Sequence, residues 1–285
     1  MIDITFYGVR GSTPCACDAT MQYGGNTSCV LVRVDGADPI ILDLGTGLRY
    51  LGQRLAKELG EQPFAGTALV SHLHWDHVQG LPFFAPLMKP EAQLRVVGPS
   101  QESGSLAEAV QAFVSPPLFP VHLADIPGSV EFTELTNDSF QLGTVTISST
   151  EVEHCGVTNG YRIQNGTGSL AYLSDHQAPA DGSLDVPASV IELCRDVDVL
   201  IHDAQYDLDE FDQKSTWGHS TIDYAVAVAA ASGAERLVLF HHDPTHDDAW
   251  IDDAVAHARE LAAGRFEVLA AAEGLSLRSG TDQPI

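Results

Sequence analysis

Three patterns in the chain predict an α/β fold in which two sheets pack together with helices outside them. Strand-like runs dominate the first and middle parts, strand and helix alternate in the last third, and clusters of histidine and carboxylate directly follow strand ends.

Taken in order, "DITFYGV", "TSCVLVRV" and "PIILDLGTG" are β-branched, apolar runs punctuated by glycine, and they read as consecutive strands. "LRYLGQRLAKELG" places Leu48, Leu51, Leu55 and Leu59 at helical spacing and stops at Gly60. "TALVSHLHWDH" reads as a buried strand running out into histidines. A strand "LRVVG" and a helix "LAEAVQAFV" follow. "SVEFTEL", "VTISSTEVEH", "GYRIQ" and "SLAYLSDH" are strands. Helices "PASVIELCRD", "TIDYAVAVAAASG" and "DDAWIDDAVAHARELAAG" then alternate with strands "VDVLIHDA", "RLVLFHH" and "FEVLAAA". No Ser/Gly/Pro tract is long enough to act as a linker and no solenoid-period repeat is visible, so residues 1–285 are expected to form one domain.

Composition narrows the function. The chain carries 14 Lys and Arg against 39 Asp and Glu, a formal net charge of −25, and only Lys57, Lys89 and Lys214 are lysines. Such a surface repels a phosphate backbone at long range, so no extended nucleic-acid surface is expected, and any phosphate chemistry must rely on local metal charge. No segment of roughly 18 uncharged apolar residues and no basic region before an apolar run appears, which predicts an unexported, cytoplasmic protein without a membrane span. Five irregularly spaced cysteines suit reduced thiols better than a disulfide framework.

The chemistry concentrates where strands end. His72, His74, Asp76 and His77 follow "TALVS", His154 follows "SSTEVE", Asp175 follows "LAYLS", and His241 and His242 follow "RLVLF". Strand ends from one side of a sheet converge on one edge, where imidazoles and carboxylates can share a metal site. A strand alone cannot aim residues 72, 74, 76 and 77 at one point, because its side chains alternate with period two; a tight turn at the strand end can. Imidazole and carboxylate suit zinc, manganese or iron, and seven of them exceed the needs of one tetrahedral ion. Two ions about 3.5 to 4 Å apart, bridged by one carboxylate, would use them all.

These residues resemble a family. "HLHWDH" at 72–77 matches the His-x-His-x-Asp-His signature of the metallo-β-lactamase superfamily, and "ILDLGTG" matches its upstream strand and Asp-x-Gly turn at Asp43. The resemblance implies an αββα sandwich holding two divalent ions, zinc first, with manganese and iron also suited. It assigns His72, His74 and His154 to the first ion, Asp76, His77 and His241 to the second, and Asp175 to the bridge, with His242 as the rival of His241.

Within the superfamily, "LIHDAQY" at 200–206 resembles the His-Glu-Ala-Thr segment of ribonuclease Z-like phosphodiesterases, and "GHST" at 218–221 matches their His-Ser-Thr motif. That likeness implies that His202 and His219 lie beside the metals, hold the phosphate and support protonation of the leaving group. With Asp76 they form the expected catalytic set. Asn26 and Ser220 are expected substrate contacts, although turn formation and helix capping explain them as well.

Only 21 positions separate His154 from Asp175, too few for the tRNA-gripping arm of ribonuclease Z. The closer likeness is to armless cyclic-nucleotide and phosphoribosyl cyclic phosphodiesterases, some of which also begin with "RGS" and "GGNTSC" like residues 10–12 and 24–29. It implies hydrolysis of a small cyclic phosphodiester by a metal-bound hydroxide, and a homodimer. "CAC" at 15–17 resembles part of a structural zinc site in that group, but the further downstream cysteine is missing, so Cys15 and Cys17 are expected in an exposed loop. The alternatives are a lactonase or thioesterase using the same metals on an acyl carbon, and a nucleotide-sensing metalloprotein without turnover.

Overall fold

The structure is a computed structural model that describes residues 1–101 and 103–279. Its strands are β1 (Ile2–Gly8), β2 (Cys29–Val34), β3 (Ile40–Leu42), β4 (Ala65–Leu69), β5 (Gln93–Gly98), β6 (Ser129–Glu134), β7 (Ser139–Leu142), β8 (Val145–Val152), β9 (Thr158–Asn165), β10 (Gly168–Leu173), β11 (Val199–Asp203), β12 (Arg236–Phe240), β13 (Glu267–Ala270) and β14 (Ser276–Arg278). The helices are α1 (Leu48–Leu59), α2 (Trp75–Val78), α3 (Leu106–Phe113), α4 (Ala188–Leu193), α5 (Leu208–Lys214), α6 (Ile222–Ser232) and α7 (Asp248–Ala262).

The strands form two seven-stranded sheets, ordered β14-β1-β2-β3-β4-β5-β6 and β13-β12-β11-β10-β9-β8-β7. Alternation along each strand builds three apolar layers. Ile4, Val32 and Leu42 from the first sheet meet Ile147, Ile163, Ile201 and Phe240 from the second, which forms the core between the sheets. Their neighbours Leu31, Ile41 and Ala68 face outward onto Leu48, Leu51 and Leu55 of α1 and Leu106 and Val110 of α3. Leu200, Leu237 and Val268 face outward on the other side, against α4, α6 and α7. The result is an αββα sandwich of the metallo-β-lactamase type. Among the described residues no helix is long and apolar enough to cross a membrane.

The last third follows the predicted alternation, with β10 through β13 paired in parallel and helices crossing over between them. Thr221 caps α6 by accepting a hydrogen bond from the Tyr224 amide, and Gly233 ends it at φ 75°. β7, β14 and α5 go beyond the sequence reading. The two strands are short edge elements, and α5 is a polar helix opened by a capping box between Asp207 and Glu210.

Candidate metal centre

The strand-to-helix junction after β4 solves the aiming problem posed by residues 72 to 77. The chain leaves β4 at Leu69, passes through His72 to an extended His74, and enters α2 with His74 as its N-cap, so one helical turn presents Asp76 and His77. The other site residues arrive on the neighbouring sheet, with His154 just beyond β8, Asp175 beyond β10 and His241 beyond β12.

The side chains converge in groups that could each hold a metal ion. His72, His74 and His154 form one, Asp76, His77 and His241 a second, and His72, His77 and Asp175 a third. Asp175 lies between the first two. Its Oδ1 is 3.8 Å from both His72 Nε2 and His154 Nε2, and its Oδ2 is 3.1 Å from His77 Nε2 and 3.4 Å from His241 Nε2. His77 Nε2 and His241 Nε2 face each other at 3.3 Å, as do His154 Nε2 and His74 Nδ1 at 3.2 Å. The buried His72 Nε2 and Asp175 Oδ2 have no hydrogen-bond partner. Lone pairs aimed at one another, beside orphaned buried acceptors, are what a shared cation would satisfy, so the residues fit a pair of divalent metals.

Around this cluster most imidazoles have the opposite ring nitrogen engaged. His77 Nδ1 donates to Asp43 Oδ2 at 2.8 Å, His241 Nδ1 to Gln205 Oε1 at 2.9 Å, and His154 Nδ1 to the Gly218 carbonyl at 2.7 Å. His72 Nδ1 donates to Ser71 Oγ at 3.1 Å, and that hydroxyl in turn donates to Asp43. Each of these bonds fixes a tautomer that leaves Nε2 as a lone pair toward the centre. Asp43 also accepts from the Ser71 amide and the Tyr172 hydroxyl, each at 2.7 Å. Asp43 and His241 both sit at positive φ, 57° and 60°, a strained setting for residues without glycine's freedom. Gly11 and Gly218 are required by space: a Cβ on either would lie 2.4 Å from the His241 or the His154 ring.

Electrostatics divides the histidines. Burial pushes His72 well below the usual imidazole range. Burial would do the same to His77 and His241, but the carboxylates around them prevail, with Asp76 and Asp175 foremost at His77 and Asp175 foremost at His241, and both imidazoles are raised. Burial likewise opposes ionisation of Asp76 and Asp175. The facing imidazoles outweigh it and hold both carboxyls below the usual carboxylate range.

Asp76, Asp175, His74 and His219 line a cavity of about 400 Å3 whose other walls are Ser12, Leu73 and Trp75. The Ser12 amide donates to Asp76 Oδ2 at 2.7 Å. His219 stacks on His241 with ring centroids 5.0 Å apart, and its Nδ1 donates to Asp203 Oδ2 at 2.8 Å.

Three expected contacts are placed elsewhere. His202 is fully buried, with Nδ1 donating to the Asp203 carbonyl at 2.6 Å and Nε2 accepting from His176 Nδ1 at 3.0 Å, so neither nitrogen is free for the cavity. Strand alternation sends it to the helix side, beside Tyr224, and sends its neighbour Asp203 toward the site. Ser220 Oγ donates to the His176 carbonyl. The Asn26 amide is taken by both Glu273 carboxylate oxygens at 3.1 and 3.0 Å. His242 turns away from the centre: its Nε2 donates to the Ala271 carbonyl, and burial lowers it to about 3. Cys17 is exposed and Cys15 partly so.

Sequence reasoning missed Asp203, Gln205 and the Gly218 carbonyl. For Asp203 a signal existed, since the segment likened to His-Glu-Ala-Thr carries its carboxylate at this position.

The comparisons agree with this architecture. A family profile described as "Beta-lactamase superfamily domain" matches residues 39–242. A ribonuclease Z of Natronomonas pharaonis is 27% identical, covering 88% of this chain and 92% of the relative. The metallo-beta-lactamase fold protein YhfI of Bacillus subtilis superposes with a TM-score of 0.71 at 20% identity, covering 97% of this chain and 98% of that one. The short form of human tRNase Z gives 0.68 at 19% identity, over 98% and 100%. With its sandwich, its strand-end histidines and a family match over well more than half its length, the chain belongs to the beta-lactamase superfamily domain family.

Proposed function

We propose that residues 1–285 act as one phosphodiesterase unit that uses two divalent metals, zinc foremost, to cleave a small cyclic phosphodiester. The observation that carries this reading is His219. It shares the cavity with Asp76 and Asp175, and Asp203 holds its Nδ1 at 2.8 Å, which leaves Nε2 to address a leaving oxygen. Acyl hydrolysis has no evident need for an imidazole so held.

The ligand sets are those expected from the resemblance: His72, His74 and His154 for one metal, Asp76, His77 and His241 for the other, and Asp175 between them. When bound, the two ions neutralise the anionic phosphate oxygens and activate water as the nucleophile. The chain's own residues do the rest. Asp203, fully buried, accepts a hydrogen bond from His219 Nδ1 and fixes the ring's orientation. His219 then delivers its proton to the departing alkoxide. The Ser12 amide pins Asp76, and Gln205 pins His241, so the centre keeps its geometry while the substrate exchanges.

Two features support a small substrate over a transfer RNA. The segment between His154 and Asp175 is the antiparallel hairpin of β9 and β10, closed by a turn at residues 166–167, with no insertion. The net charge of −25 also leaves little to hold an RNA backbone. The relatives' name, ribonuclease Z, still describes phosphodiester cleavage, and that chemistry is the part we carry over.

The test is hydrolysis by the metal-loaded protein of bis(p-nitrophenyl) phosphate, nucleoside cyclic phosphates, lactones and thioesters. The reading expects turnover of the diesters. Turnover of lactones or thioesters alone would replace it with an acyl hydrolase, and tight nucleotide binding without turnover would replace it with a sensor.

A further inference from the structure

Arg10 is fully buried, and a charge in the interior is costly unless something there needs it. Its donors go to main-chain carbonyls: Nε to Gly24 at 2.8 Å, and Nη1 to Asp243 at 3.0 Å and to His246 at 2.7 Å. Nη2 has no hydrogen-bond partner, and the Asp248 carboxylate stands 4.0 Å from it. The three carbonyls belong to two loops. Gly24 precedes β2, while Asp243 and His246 open and close the turn that follows His241, the His246 amide donating to the Asp243 carbonyl at 3.1 Å.

The main chain around Arg10 runs between the same two loops. The Val9 and Arg10 amides donate to the Asn26 carbonyl at 2.8 and 3.0 Å. On the other side, the His242 amide donates to the Val9 carbonyl and the Gly11 amide to the His242 carbonyl, each at 3.0 Å. Residues 9–11 are therefore bonded to the backbone directly after His241, with Gly11 against the His241 ring, and the next residue gives its amide to Asp76 at 2.7 Å.

We infer that Arg10 is a positioning residue for one ion of the pair, the one proposed for Asp76, His77 and His241. The inference rests on the two-metal reading above and adds an asymmetry to it. The segment that Arg10 anchors reaches Asp76 and His241. The other group is held from elsewhere, His72 by Ser71 and His154 by the Gly218 carbonyl. A guanidinium suits the task, because its planar fork fixes the donor directions and can hold carbonyls from two loops at once, whereas an ammonium is a point charge on a flexible stem. Groups that orient metal ligands are typically worth about 10- to 100-fold in metal affinity, and here that effect should fall on one ion.

The experiment is calorimetric titration of the metal-free protein with zinc, on the unchanged chain, Arg10→Met, Arg10→Lys and Tyr23→Phe, with thermal midpoints alongside. Tyr23→Phe controls for loop stability, since the Tyr23 hydroxyl donates to Asp252 on α7 at 2.7 Å. Arg10→Met should weaken one of the two binding events about 10- to 100-fold and leave the other within about threefold. Arg10→Lys should recover part of the loss, and Tyr23→Phe should leave both events unchanged. Weakening of both events equally, or of neither, would overturn the inference and leave the two-metal reading standing. Should Arg10→Met fail to fold, Arg10→Lys carries the same comparison. Should the unchanged chain bind fewer than two zinc ions, the two-metal reading fails, and amide hydrogen exchange of the metal-free chains decides the anchoring. Faster exchange in the Arg10 variant confined to residues 9–12 and 242–246 supports it. Unchanged exchange there, or faster exchange throughout, refutes it.

Discussion

Asp175→Ala attacks the joint on which a two-metal centre depends. Its two oxygens face different neighbours, Oδ1 toward His72 and His154 at 3.8 Å and Oδ2 toward His77 and His241 at 3.1 and 3.4 Å. The residue is 2% exposed. In the metal-free protein, removing one partner of a buried ion pair costs about 3 to 5 kcal/mol. Asp76 and Asp43 remain beside His77, at 3.2 and 2.8 Å, which places the expected loss near the lower end, about 3 kcal/mol in chemical denaturation. If Asp175 bridges two ions as proposed, the same change would remove a ligand from both, so elemental analysis after gel filtration should fall from two metals per chain to one or fewer, with loss of most activity. Asp175→Asn keeps the volume and should lose metal in the same way, with less destabilisation. Two metals retained in Asp175→Ala would refute the bridging geometry.

Asp203→Asn should keep both metals and still accept the Gln205 amide, but a neutral amide oxygen accepts from His219 Nδ1 more weakly than a carboxylate. A hydrogen bond to a charged group is worth about 1.5 to 3 kcal/mol, so kcat on an unactivated diester should fall roughly 10- to 150-fold; an unchanged kcat would remove Asp203 from the mechanism. The thermal midpoint of the metal-free protein should pass through a maximum with pH. His77 and His241 are raised, so the stability they contribute is complete below the ordinary imidazole value and is lost as pH climbs through their folded values. His72, His176 and His202 are lowered by burial, so stability is lost on the acid side as the unfolded chain takes up their protons. Metal loading should flatten the alkaline limb, because the ions take the places of those protons. A midpoint that climbs steadily to pH 9 without metal would contradict the assignment.

How much of this was legible depended on whether the signal was local. The run from His72 to His77 is legible because four ligand-type side chains in six positions have no other economical use, and one helical turn after a strand is enough to gather them. The sandwich is legible for a similar reason, since apolar alternation and strand-helix order survive in the sequence. Asn26 is the opposite case: its partner Glu273 lies 247 positions away, and no turn propensity announces it. His202 and Asp203 differ by one position and by the face of a strand, so a motif centred on the histidine points to the wrong neighbour unless the strand's parity is known. β7 and β14 are short edge strands of four and three residues, whose pattern is too brief to separate from loop.

The central claim is that His219 makes this centre a phosphodiesterase by protonating a leaving oxygen, and one pair of rate measurements tests it most directly. His219→Ala, with both metals confirmed by elemental analysis, is compared with the unchanged chain on a nucleoside cyclic phosphate and on bis(p-nitrophenyl) phosphate. Loss of a general acid typically costs about 10² to 10⁴ in rate, and the account predicts a loss of that size for the ribose alkoxide. The p-nitrophenolate, which departs without a proton, should lose far less. Equal losses on both substrates would reduce His219 to a positional role, and no loss on either would contradict the account.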